Sequence, residues 1–174
     1  FTDCVKLMNT NNIGWAWWPH KKIKSIAGPL SAYLLPGYQN LLNYWTNGGT
    51  QPSVTEAMNA LMAQANMLLI ENCVYQKDVV DALIRQPSST ETIPFADNQV
   101  PGIVHATNYD LGQMLFAYND TDFENTGGGT WNNGYSYRND GVDIEPCSDF
   151  SSNGFNVGWI ENGEWLKYTK SARL

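Results

Sequence analysis

Residues 14–22 read Gly-Trp-Ala-Trp-Trp-Pro-His-Lys-Lys: three indoles within four positions, followed at once by a proline, an imidazole and two ammonium groups. The apolar run is short, is preceded by the turn residues Asn11-Asn12 and is closed by Pro19. It predicts a buried strand over Asn12–Trp18, although periodicity alone does not separate such a strand from other structures. Upstream, Asp3–Thr10 predicts the end of a helix, with Cys4, Leu7 and Met8 on one face and Asn11-Asn12 as its stop. A helix that leads into an apolar strand points to an α/β arrangement. The basic cluster has no use in a core, whereas a rim that holds a polar molecule uses indoles and ammonium groups together.

Further along, Gly28-Pro29 and Pro36-Gly37 punctuate a loop-rich stretch, and Tyr38–Trp45 predicts a short helix ended by Asn47-Gly48-Gly49. Ser53 with Glu56 three residues on is a capping-box signature. Behind it Val54, Ala57, Met58, Leu61, Met62, Ala65, Leu68 and Leu69 recur at helical spacing, and the methionines are expected as core filler. Another helix, Lys77–Gln86, carries Val79, Val80, Leu83 and Ile84 and ends against Pro87. Between Pro87 and Pro101 the text becomes polar and proline-punctuated, which predicts a domain boundary. Beyond it, Ile103–Ala106, Met114–Tyr118, Gly141–Ile144, Asn156–Ile160 and Glu164–Thr169 are short apolar or alternating segments between turn residues. They predict an all-β sandwich. The fold class expected is therefore α/β followed by all-β.

Charge is uneven. Residues 1–90 hold six Lys and Arg against five Asp and Glu, and residues 91–174 hold four against twelve, which together make the formal −7. An acidic second half repels phosphate backbones, so nucleic acid is not an expected partner, and no basic patch suggests anionic lipid. There is no run of eighteen apolar residues, so no membrane span is expected. Phe1-Thr2-Asp3-Cys4 lacks the basic start and apolar core of a signal peptide, and the chain reads as a piece whose beginning lies elsewhere. Cys4, Cys73 and Cys147 are too few and too dispersed for a disulfide framework or a zinc site, and each is expected as a small buried hydrophobe. The seven Trp and nine Tyr offer flat apolar faces with a polar handle, useful against proteins and sugars alike.

Two resemblances follow from these strings. GWAWWPHKK, PGYQNLLNYW and IENCVYQKDVVDAL resemble the eighth strand, its rim loop and the closing helices of a glycoside hydrolase family 5 catalytic domain, a (β/α)8 TIM barrel. Only about a quarter of such a barrel is covered, since barrels of this type run about 250 residues. VPGIVHATNYDLG, FAYNDTD, YSYRNDGVDIE and NVGWIENGEWLKYT resemble, in order and spacing, the N-terminal part of a family 6 carbohydrate-binding module, which is a jelly-roll β-sandwich. The implied organisation is a catalytic-domain fragment at 1–87, a linker at 88–98 and an incomplete module at 99–174.

The first resemblance implies retaining hydrolysis of β-glucan by two carboxylates about 5 Å apart, one the nucleophile and the other the acid/base, with no cofactor for catalysis. Both glutamates would stand on earlier strands, so no catalytic residue is expected in this chain, and Glu56 and Glu71 belong to the helix outside the barrel. Active sites of such barrels lie at the C-terminal ends of the strands. Trp18, at the end of the expected strand, would present its π-face to a pyranose ring, while Trp15 and Trp17 sit nearer the strand body and are read as structural. Lys21 and His20 are further candidates for substrate contact. A solvated loop lysine is the commoner case, and no Ser, Cys or carboxylate near His20 proposes a triad.

The second resemblance implies a sugar sandwiched between aromatics. Tyr137 falls on the position of one of them, with an edge-strand tyrosine packed on its neighbours as the alternative, and Tyr118, Asn119 and Asp120 lie near the polar contact. Trp159 and Trp165 are expected in the core; the resemblance offers Glu164, next to Trp165, for a second, concave-face site, with an outward strand carboxylate as the preferred reading. A structural calcium is also implied, held by two acids on the first strand. His105 and Thr107 stand where those acids would be, which removes two of the hard oxygen ligands calcium prefers. DTDFEN at 120–125 lacks the glycine of an EF-hand loop, and GGG at 127–129 reads as a flexible loop. The parent protein is expected to be a secreted or cell-surface endo-β-1,4-glucanase with β-glucan as its partner. The alternatives are a non-catalytic carbohydrate-binding protein and an adhesion sandwich.

Overall fold

The structure, a computed structural model, describes residues 1–121 and 137–172. In chain order the elements are α1 (Thr2–Thr10), β1 (Lys21–Ile23), β2 (Leu30–Ala32), α2 (Pro36–Asn47), α3 (Val54–Asn66), β3 (Val74–Tyr75), α4 (Lys77–Ile84), β4 (Asn98–Val100), β5 (Tyr118–Asn119), β6 (Ile144–Pro146), β7 (Phe155–Val157), β8 (Trp165–Leu166) and β9 (Lys170–Ala172). Two compact units form, one from Phe1–Trp17 with Lys77–Leu174 and the other from Trp18–Gln76. The sequence reading expects a linker at 88–98. That segment belongs to the first unit and is packed there, with Phe95 and Asn98 buried and Ile93 bridged to Leu111. The GGG stretch and residues 122–125 of DTDFEN lie outside the described residues.

In the first unit, Val5 of α1 meets Val79 and Leu83 of α4, two positions one turn apart on the same helix face, and Trp15 and Trp17 pack against this cluster. The indoles explain why Asn12–Trp18 is not the strand that its apolar run predicts. Asn12 takes a left-handed backbone (φ 54°), the Ile13 amide donates back to Met8 O at 2.9 Å, and Trp15 Nε1 donates to Asn9 Oδ1 at 2.9 Å. The run turns against its own helix and finds apolar partners there, and it pairs with no strand among the described residues. An edge-to-face contact between Phe1 and Trp17, with centroids 4.3 Å apart, closes the end of the cluster.

The second core of this unit gathers Tyr109, Ala117, Tyr118, Val142 and Ile144, with Phe155, Val157 and Leu166 against them. Its strands pair in twos: β4 with β9 in parallel, β5 with β8 and β6 with β7 antiparallel. Four of the five segments expected as strands contain or touch one of these short strands. Ile103–Ala106 does not, because the chain there leads into a 3-10 turn at Ala106–Asn108. Among the described residues the all-β part is a set of short ladders around an aromatic centre.

Asp78 of α4 is buried and accepts from the Asn139 amide at 2.7 Å and from Asn139 Nδ2 at 3.0 Å. Burial raises its carboxyl above the ordinary range, and these hydrogen bonds only partly offset that. A carboxyl raised in the folded state contributes stability fully present below its unfolded value and lost as pH rises through the folded one. Asp78→Asn keeps an acceptor for Asn139 without the charge. Urea midpoints measured from pH 4 upward should therefore fall more steeply in the native protein than in this variant, with the variant at least as stable, by up to about 1 kcal/mol, at pH 7. A steeper fall in the variant would contradict this.

In the second unit β1, β2 and β3 make a three-stranded sheet, parallel between β1 and β2 and antiparallel between β2 and β3. Pro36 opens α2 and Gly48 ends it with φ 72°, the asymmetry expected of those residues. The capping box at the start of α3 forms as the sequence predicts: the Glu56 amide donates to Ser53 Oγ at 3.2 Å and the Ser53 amide to Glu56 Oε2 at 2.9 Å. The buried face of α3 differs from expectation. Met58 and Met62 are 55% and 62% exposed and are not core filler. The helix turns Ala60 and Gln64 inward, Ala60 Cβ lying where a side chain at Gly37 would meet it at 3.3 Å. Gln64 Nε2 donates to Tyr33 O at 3.0 Å while its Oε1 accepts from the Leu35 amide at 2.9 Å. Both ends of this buried amide are satisfied by the backbone of the Tyr33–Leu35 loop, which fixes the rotation of α3 about its axis.

Candidate functional site

The segment 18–22 lies in the second unit. Trp18 is 89% exposed. The backbone beneath it is fixed: His20 O accepts from the Leu30 amide at 3.0 Å, and Pro19 O lies 3.1 Å from where a Cβ on buried Gly28 would stand. That contact is tighter than an ordinary Cβ contact, so a larger residue at 28 would have to push the Pro19 carbonyl aside by a few tenths of an ångström. His20 is exposed beside it. Lys21 is half-buried in β1, and its ammonium donates to Leu68 O beyond the end of α3, so the group is committed to closing a helix terminus. Lys22 is exposed.

The three candidates in the other unit are placed differently. Tyr118 is buried in β5, its ring edge-to-face with Tyr109 at 5.7 Å, and burial, with Asp140 adding to it, holds the phenol well above its ordinary range. Asp120 is buried just after that strand. Tyr137, half-buried, lies 4.9 Å from Phe155 and 5.5 Å from Phe95 between centroids and donates from its hydroxyl to Asn108 Oδ1 at 2.6 Å. Tyr118 and Tyr137 both pack within or against the aromatic core, so the structure brings these two together around packing.

Sequence reasoning missed the turn between β7 and β8. Trp159 and Trp165, expected in the core, are 47% and 42% exposed, and they bracket Ile160-Glu161-Asn162-Gly163-Glu164. Trp159 has φ 47° and Gly163 φ 100°, so the segment folds into a turn where an inward-outward alternation would have buried every second side chain. Glu164 is positioned by neighbours: its carboxylate accepts from the Thr121 amide at 3.0 Å, the Thr121 hydroxyl at 2.8 Å and the Glu161 amide at 2.8 Å. Burial pushes this carboxyl up, but the three donors together outweigh it and hold it below the usual range. Trp159 and Trp165 each leave part of an indole open to solvent, and Glu164, between them in sequence, holds an ordered carboxylate. The Asn162-Gly163 pair was the signal that could have found the turn.

Thr107 is buried with its hydroxyl accepting from Asn153 Nδ2 at 3.0 Å, and among the described residues no group of three or more His, Cys, Asp or Glu is placed to hold a metal. The three cysteines are free thiols, Cys4 exposed and the others half-buried. No helix among the described residues is long and apolar enough to cross a membrane. No protein-family model, no curated protein and no solved structure matches the chain.

Proposed function

We propose that this chain holds β-glucan through outward indoles, as the C-terminal portion of a retaining endo-β-glucanase followed by a carbohydrate-binding region. The observation that carries the reading is Trp18, an indole almost wholly in solvent on a backbone fixed by Pro19, His20 and Gly28. Exposing so large an apolar face has a cost that a bound sugar ring removes. The two reacting carboxylates would be supplied by barrel strands preceding this segment, as the resemblance of GWAWWPHKK implies. Secretion or display at the cell surface belongs to the same reading.

Migration in a native gel containing soluble β-glucan tests it. Trp18→Ala should weaken the retardation about tenfold, equivalent to ~1.4 kcal/mol. Unchanged retardation would remove Trp18 from the binding surface. A second reading, carbohydrate attachment with no catalytic role, is favoured by the Trp159–Trp165 turn, which has aromatic faces and a carboxylate without any part of a barrel. Retardation abolished by Trp165→Ala and untouched by Trp18→Ala would select it.

A further inference from the structure

A cavity of about 400 Å³ opens in the first unit between Pro94–Asn98 and Thr169–Ser171, with Lys77 at the start of α4 on its wall. Its cations are Lys77 and Lys170, and its one carboxylate is Asp97. Asp97 is engaged on both oxygens, Oδ1 by Ser171 Oγ at 3.1 Å and Oδ2 by Gln99 Nε2 at 2.6 Å. The two ion pairs of the described residues, Arg85–Asp81 and Arg138–Asp140, leave both lysines out. Lys77 donates to Phe95 O and sits 3.8 Å above the Phe95 ring centroid, while Arg138 Cζ lies 4.4 Å from the same centroid. A half-buried ammonium thus has a ring and a carbonyl for partners and a second cation for a neighbour. Burial, and then Arg138, hold Lys77 below the ordinary ammonium range, and the neighbouring Asp78 carboxylate opposes them only in part.

The walls are fixed independently of any occupant. Asn98 is buried and donates from Nδ2 to Asn108 O at 3.1 Å, and Thr169 is held by Asp110 through its amide and its hydroxyl, both at 2.7 Å. β4 and β9 run in parallel along the rim, which sets Asn98 opposite Lys170. We propose that this cavity is a binding site for a small organic anion, up to about the size of a monosaccharide acid, with the ammonium groups of Lys77 and Lys170 as its counter-charges and the Phe95 ring beneath Lys77. The chain as a whole is at −7, so its long-range field opposes anions and binding must come from these local groups. Charge-assisted hydrogen bonds from the two ammonium groups to one carboxylate or phosphate are stronger than neutral ones and give that selection. The proposal does not depend on β-glucan binding, since no indole lines the cavity.

Calorimetric titration of the full chain with D-glucuronate, inorganic phosphate and D-glucose tests it at constant ionic strength. The expected result is saturable binding of at least one anion and none of glucose. Glucuronate alone would identify a sugar carboxylate, phosphate alone a phosphate group. Lys170→Gln should weaken binding about tenfold and Lys77→Met should abolish it. Lys170 is exposed, so its variant tests the site even if Lys77→Met disturbs folding. No binding of either anion, equal binding of glucose, or anion affinity unchanged in Lys170→Gln would overturn the proposal.

Discussion

Replacing Arg138 by methionine is expected to lower the stability of the unit that contains it by about 3–5 kcal/mol, the range for breaking a buried ion pair by removing one partner. The guanidinium is almost fully buried. Its Nε and Nη2 reach Asp140 Oδ2 at 2.9 and 2.7 Å, Nη1 donates to Tyr109 O, and Nη2 donates to Asp110 O at 3.1 Å. Its plane lies 3.6 Å from the Tyr109 ring centroid and nearby over Phe95, so the charge is also set against two aromatic rings. Methionine fills much of the volume but leaves the Tyr109 and Asp110 carbonyls and the Asp140 carboxylate without their donor. The Tyr109 hydroxyl, which donates to Asp140, would remain as a partial partner. Arg138→Lys should recover only a minor part of the loss, since a point charge cannot serve Asp140 and two backbone carbonyls at once. Arg138→Met combined with Asp140→Asn should recover more, because no unpaired charge is then buried. Urea unfolding of the four proteins measures these differences. A loss under about 1 kcal/mol in Arg138→Met would mean that the network carries little of the stability.

Local signals in the sequence were legible where one short stretch holds all the information. Ser53 and Glu56 satisfy each other's amides, Pro36 and Gly48 suit the backbone at the two ends of α2, and α1 stops at Asn11. Misreadings arise where a choice depends on a distant partner. Periodicity shows that Val54, Met58, Leu61 and Met62 share a stripe, yet the loop at Tyr33–Leu35 determines that Gln64 turns inward. The indoles of 15–17 are apolar enough for any buried element, and Val5, Val79 and Leu83 make their burial a matter of packing against helices. The ring contacts of Tyr137 with Phe95 and Phe155, each well separated from it in sequence, likewise could not be read from the motif around it. The cavity that Lys77 and Lys170 line was invisible for the same reason: the two lysines are far apart in sequence, and no local pattern links them.

Asp110→Ala is expected to cost about 2–3 kcal/mol, the penalty of leaving buried donors without an acceptor, and its effect should spread along the strand that follows Thr169. Asp110 is fully buried, and its two carboxylate oxygens take the amide and the hydroxyl of Thr169, each at 2.7 Å, while its own amide donates to Lys167 O at 2.8 Å. One side chain therefore fixes the position at which the chain enters β9, and through it the wall that carries Lys170. Asp110→Asn separates charge from geometry: its carbonyl oxygen can still accept from the Thr169 amide, and its NH₂ can donate to the Thr169 hydroxyl, which accepts as readily as it donates. That variant should lose less than half as much as Asp110→Ala. Thr169→Val removes only the hydroxyl arm and should cost about 1 kcal/mol. Urea midpoints should therefore rank native, Thr169→Val and Asp110→Asn together, then Asp110→Ala. Amide exchange read at Lys170 and Ser171 should accelerate in Asp110→Ala beyond the global loss, because the first contact of the strand is the one removed. If Asp110→Asn proves as damaging as Asp110→Ala, the charge of the carboxylate and not its two acceptors holds the strand, and Arg138, whose Nη2 binds the Asp110 carbonyl, becomes the partner to vary next.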